Sequence, residues 1–199
     1  LAAVVSVAAT VLGLMGAFAV AYFRCPGNTV VMSFLLSPLS APQIVTGIAL
    51  LQFFAMFALH TRMGMLALFL GHVVVMLPFT TRMIVNAIHG FDRNMERAGL
   101  ILGASPRQVL WYVILPLLKS GVFAALTFAF ILSFNNIPIS LFLAQPGTRT
   151  IAIAVINYLE YRIDPALAAV NVVCLLIILI IVGVVERFGR FTRALYGRD

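Results

Sequence analysis

Apolar residues fall into five long blocks along this chain, and most charged residues are swept into the gaps between them. Residues 1–23 carry no charge and are numerous enough for an α-helix to cross a hydrocarbon core of about 30 Å. Further spans are expected at 44–59, 65–84, 117–134 and 166–185, the first of these being short and starting near Pro42. Within the opening block Ser6, Thr10, Gly13 and Gly16 recur at helical spacing, a stripe of small residues where another helix can approach closely. Between the spans, 24–43 holds Pro26, Pro38 and Pro42 and reads as a bent connection, while 60–64 reads as a tight turn. The stretch 135–164, with Asn135-Asn136-Ile-Pro, Pro146-Gly147 and a mildly amphipathic piece around Tyr158, Glu160, Tyr161 and Asp164, is expected on the outer side, partly re-entrant or lying at the interface. The pattern gives an all-α integral membrane protein, one domain over residues 1–199.

Composition strengthens that reading. The chain is 63% hydrophobic and 10% charged, against about 25% charged in soluble proteins. Its net charge of +7 does not point to nucleic acid, because the basic residues form no platform interleaved with aromatics. They sort by side instead. Alternating through five spans puts Arg24, Arg82, Arg93, Arg97, Arg107, Lys119, Arg187, Arg190, Arg193 and Arg198 together, against Arg62, Arg149 and Arg162. The richer side is expected to be cytoplasmic, with the tail 186–199 on it. The tail alternates basic and apolar residues, which suits either a stop-transfer cluster or a small interfacial helix held by anionic lipid. The same alternation leaves the beginning outside with no leader, and the first residue is Leu1, so one further span is expected ahead of it.

One polar island, 86–116, interrupts the oil with both signs of charge. Asp92 has the residue type of an N-cap, an apolar run closes at Leu100 to Leu102, and Gly103 stands where a helix ends in a left-handed residue. Ser105, Pro106 and Gln108 then supply a capping box with proline at the first helical position. The island is a helix, a sharp corner and a second helix, a shape suited to docking on something outside the membrane. Its residues resemble the "EAA" loop of permease subunits of binding-protein-dependent ABC importers, in which Glu-Ala-Ala is followed by Gly and then Ile-x-Leu-Pro. Gly103 to Pro116 keeps the family spacing, with Val113 at the isoleucine position. Aligned through Gly103, the family's glutamate falls on Arg97 and its alanines on Ala98 and Gly99, while Glu96 lies one residue early, about 100° around the helix.

That resemblance implies a type I importer-like helical bundle in a bacterial inner membrane, with no cofactor. It implies partners as well: cytosolic ATP-binding subunits, a second permease that is a copy or a relative, an extracytoplasmic solute-binding protein, and membrane lipid. Asp92, Glu96, Arg97, Ala98, Gly99, Gly103, Ala104, Ser105 and Pro106 are then the candidate ATPase-coupling residues. The run Ser-Phe-Asn-Asn-Ile-Pro-Ile-Ser-Leu-Phe-Leu followed by Pro-Gly-Thr-Arg-Thr is similar to the spermidine/putrescine branch, where an acidic pair often stands at Asn135-Asn136. Amides there remove the charge that would neutralise a polycation.

Other chemistry is thin. No Gly-x-x-x-x-Gly-Lys-Ser/Thr occurs, so the chain is not expected to be an enzyme, and any ATP is hydrolysed on a separate subunit. All six carboxylates lie outside the predicted spans, which lowers but does not remove the alternative of an ion-coupled secondary transporter. A haem or redox protein is a third reading, and a weak one, since His60, His72 and His89 are expected at different depths. His72 alone is expected in the core, as a packing histidine or, with Asn135 and Asn136, part of a solute path; the amides can equally cap a helix end. No serine has a histidine at a helical neighbour position in the core, no metal site is expected, and Cys25 and Cys174 are too far apart in the predicted layout to pair.

Overall fold

The computed structural model describes residues 1–22, 27–57, 59–161 and 165–196, so Arg24, Cys25, Arg162, Asp164, Arg198 and Asp199 lie outside the described residues, as do the side chains of His60, Arg62, Glu160, Glu186, Arg190 and Arg193. All regular structure described is helical: α1 Ala2–Tyr22, α2 Asn28–Leu36, α3 Gln43–Met56, α4 Leu59–His89, α5 Asn94–Ile101, α6 Pro106–Val109, α7 Leu115–Phe134, α8 Ile137–Leu143, α9 Ile151–Tyr161 and α10 Ala166–Tyr196. Among the described residues four stretches are long and apolar enough to cross a membrane, namely Ala2–Tyr22, Gly64–His89, Pro106–Phe134 and Leu167–Val185.

The fifth expected span differs. Pro42 fixes its start and Phe57 leaves the helical region, so α3 has 14 residues and a length of about 21 Å. What completes it is α2, in the stretch read above as a mere connection. Met32 packs beside Ala17 and Ile84 at one end of the bundle, Leu35 reaches Gly16, and Phe54 packs beside Val5 and Leu68 at the other end. The turn at Ser37–Leu39 and the prolines beside it break one crossing into two helices. Proline at 38 and 42 removes the donors that would have carried the first helix straight through.

The centre of the bundle is α1, α4 and α7. Small residues let α1 and α4 touch: Thr80 Oγ1 donates to the Ala9 carbonyl at 2.8 Å, and Gly13 lies directly against Thr80 and Thr81. Pro78 inside α4 is followed by two threonines: with the Thr80 hydroxyl given to Ala9, that of Thr81 donates one turn back to the Leu77 carbonyl at 2.8 Å. A second proline, Pro116, sits just after a π-helical turn at Leu110–Ile114, where the Leu115 N–H reaches back to the Leu110 carbonyl. A widened turn accommodates the proline ring without ending the helix. Pro106–Phe134 therefore runs as one continuous rod from the corner to the far end.

Of the two placements expected for the stretch after α7, re-entrant or interfacial, α8 fits the first: it lies inside the bundle, with Ile139, Ser140 and Leu143 fully buried against α3 and α4. Gly47 permits this, since a Cβ there would stand 3.1 Å from the Pro138 carbonyl oxygen. By contrast α10 packs mainly on α7, and beyond Leu167 none of its span is buried within this chain. Its backbone continues helical to Tyr196, so the tail is an extension of the span.

Candidate functional site

Two polar places stand out, one at each end. At the corner end, the Asp92 carboxylate accepts from the Asn94 N–H at 2.9 Å and the first turn of α5 closes behind it. The other terminus is a full Schellman motif. The Gly103 N–H donates to the Leu100 carbonyl and the Ala104 N–H to the Gly99 carbonyl, both at 3.1 Å, with Gly103 at φ +87°. The next start follows the capping box: the Ser105 N–H donates to Gln108 Oε1 at 2.8 Å and the Gln108 N–H to Ser105 Oγ at 3.4 Å. Ser105→Ala is expected to cost about 1 kcal/mol in the thermal unfolding of the purified protein, and no measurable loss would mean the box is ornamental.

Caps replace burial here. No residue of α5 is buried, and its apolar side chains stay out: Ile101 is 85% exposed and Leu102 88%. Met95 and, on the following rod, Trp111 and Tyr112 are exposed too. These five were not among the candidate residues. Their signal, apolar side chains in the most polar stretch of the chain, was present in the sequence.

The candidate coupling residues divide between two faces. Glu96 turns inward and accepts from the Tyr22 hydroxyl at 3.2 Å, Gly99 lies against Val109, and Ala104 packs on the inner apolar cluster. Asp92, Arg97, Ala98, Gly103, Ser105 and Pro106 are exposed. Glu96 and Arg97 are thus not equivalent positions. Between α1 and the corner lies a cleft of about 420 Å³ lined by Phe18, Tyr22, Glu96, Leu100, Val109 and Leu110.

At the far end, His72 is fully buried and joins three helices. Its Nδ1 lies 3.0 Å from Ser133 Oγ of α7 and its Nε2 3.1 Å from Ser140 Oγ of α8. Either tautomer satisfies both contacts, because each hydroxyl can give or take. The sequence had offered no serine beside a histidine; the fold makes two. A serine–histidine contact can activate a nucleophile, but here the ring is sealed from solvent and its second nitrogen meets another hydroxyl, not a carboxylate. Both nitrogens are engaged, which also leaves none for an axial bond to haem. Replacing His72 by leucine strands two buried hydroxyls and is expected to cost about 1–3 kcal/mol for each left unpaired. Adding Ser133→Ala and Ser140→Ala to that variant should recover part of the loss in thermal unfolding; no recovery would contradict the node.

Of the two amides, Asn136 is buried and caps α8, its Oδ1 accepting from the Ile139 N–H at 3.0 Å while Nδ2 donates to Gln43 Oε1 at 3.3 Å. Asn135 is exposed and donates to the Ile131 carbonyl. So Asn136 caps a helix, though within the bundle and not on its outer surface. It shares α8 with Ser140, His72's partner, whereas Asn135 stands apart. A cavity of about 400 Å³ opens beside Ser133, lined in part by Leu68, Phe130 and Arg149.

Residues 9–193 match the family described as "Binding-protein-dependent transport system inner membrane component". The chain is 29% identical over 175 residues to the putrescine transport system permease protein PotI of Escherichia coli (strain K12), which covers 85% of this chain and 62% of that protein. It is also 29% identical over 174 residues to the spermidine/putrescine transport system permease protein PotC of the same organism, covering 87% and 65%. The chain thus spans less than two thirds of the length of these curated relatives. In fold it is similar to a chain of the inward-facing MetNI methionine ABC transporter, with a TM-score of 0.69 and 20% identity over 97% of this chain and 92% of that one.

Proposed function

Because this chain belongs to the family of binding-protein-dependent transport system inner membrane components, we propose that it is the membrane-spanning subunit of an ATP-driven importer, forming part of the solute path and coupling it to a cytosolic ATPase at α5. The observation that carries this reading is the exposed apolar edge of a helix none of whose residues is buried. Ile101 and Leu102 have no role in the lone chain, and an exposed apolar patch rimmed by polar residues is what a docking site requires. Arg97 beside them offers charge to an acidic partner surface.

The sides of the membrane follow from the corner. With α5 cytoplasmic, the end of α10 lies in the cytoplasm and the His72 node lies toward the outer half, where an extracytoplasmic binding protein delivers solute. The unburied span of α10 is covered by a second permease subunit and by lipid. ATP is hydrolysed elsewhere, since the chain has no loop to cradle a phosphate. Ser133, Asn136 and, behind them, His72 belong to the translocation path. The relatives' names support a polyamine-like solute. Arg149 at the far-end cavity and amides at 135 and 136 supply no counter-charge for a polycation, so selection by charge falls to the binding protein.

The test is retention of partners from mild detergent. The wild type should hold an ATPase, and Arg97→Glu should hold it about ten-fold less well while inserting normally, because a reversed rim charge repels what the arginine attracted. Uptake that follows an ion gradient, with no ATPase retained, would overturn the proposal in favour of a secondary transporter.

A further inference from the structure

α5 is held to the rest of the chain along two edges. On one, Gly99 lies against Val109 and Val113, a contact with the rod that the corner itself leads into. On the other the partner is 74 positions away in sequence. The Tyr22 hydroxyl donates to Glu96 Oε2 at 3.2 Å, and Arg93, the residue just before α5, sets its guanidinium 5.3 Å from the centre of the Tyr22 ring. The same guanidinium donates to the Ala21 carbonyl at 3.3 Å. The ring is therefore gripped by its edge and by its face. It cannot slide along α5 without losing one of the two, since cation–π attraction needs the charge over the ring and the hydrogen bond needs the hydroxyl at the carboxylate.

A cleft lies beside this join, and the polar contacts of Tyr22 with α5 add to the apolar packing that its ring shares with the inner cluster. Tyr22 is itself anchored on α1, its ring 5.5 Å from that of Phe18. Beyond that, α1 is bonded to α4 through Thr80. We propose that Tyr22 is a positioning residue that carries displacement of α5 into α1, so that the core is moved through α1 as well as through the rod of α6 and α7. This rests on the importer reading above.

The experiment compares wild type, Tyr22→Phe, Glu96→Gln and the double variant in the full complex, reading ATPase retention and solute imported per ATP hydrolysed. Each single change should keep the ATPase bound yet lower the import-to-hydrolysis ratio by about two- to thirty-fold, and the double should be no worse than the worse single. Ratios within two-fold of wild type, losses that multiply in the double, or loss of the ATPase itself each overturn the proposal, the last making Tyr22 part of the dock. A wild type that retains no ATPase would instead remove the importer reading, and the coupling role with it.

Discussion

Replacing Gly103 by valine should abolish ATPase retention and uptake together, by at least about ten-fold, while leaving membrane insertion intact. The reason is local. At φ +87° a β-branched side chain meets its own backbone, a cost of about 1–2 kcal/mol even if the turn holds. Escape from that strain means abandoning the left-handed turn, and both closing hydrogen bonds, Gly103 to Leu100 and Ala104 to Gly99, depend on it. The end of α5 would then swing relative to α6, carrying Ile101 and Leu102 away from where a partner meets them. Nothing lies within 4 Å of a Cβ at this position, so the variant does not disturb the core. Gly103→Ala tests the same point more gently. If Gly103→Val keeps both association and uptake, the angle of the corner is not what the partner reads.

The second large effect is expected at the opposite face of the argument, in the core. Gly13→Leu should lower the thermal stability of the detergent-solubilised protein strongly, at or beyond the upper end of the ~1–3 kcal/mol typical of overpacked cores. A Cβ at Gly13 would press on Thr80 Oγ1 and stand 2.9 Å from Thr80 Cβ and 3.0 Å from the Thr81 backbone nitrogen, and backbone does not yield as a flexible side chain does. It would also break the Thr80 to Ala9 hydrogen bond that joins the two helices. Gly16→Ala is the control. Its Cβ meets atoms at 3.7 Å or beyond, ordinary contact distance. If the two glycines respond alike, the close approach of α1 and α4 is not where the fold is fixed.

Both predictions begin from positions legible in the sequence, and it is instructive why some others were not. Gly103, Ser105 and Gln108 act through neighbours a few residues away, so their spacing alone placed the corner. The stripe through Ser6, Thr10 and Gly13 likewise announced a close helix contact, though not that α4 would fill it. Tyr22 and Glu96 could not be paired in advance, because their contact depends on how two distant helices cross. For the same reason His72 looked solitary, since Ser133 and Ser140 meet it only through tertiary packing. Two placements stayed open for 135–164 for another reason: α8 is short, and an apolar heptamer between polar amides and Pro146-Gly147 has the same pattern whether it dips into the bundle or lies on its surface. α2 was missed because prolines at both ends of its stretch masked nine helical residues between them.

The π turn at Leu110–Ile114 has a consequence for how the rod can change over time. An α-helix that gains one residue rotates everything beyond it by about 100° and would swing Leu118 and Ala125 out of the core. A π turn absorbs that residue within a single wide loop and keeps the far faces in phase. It works as a phase adjuster between two halves of one helix. The half facing α5 can therefore be tuned to its partner while the half packed on α1 and α4 keeps its own register, and a deletion of one residue within 110–114 should be far better tolerated than one within 120–124.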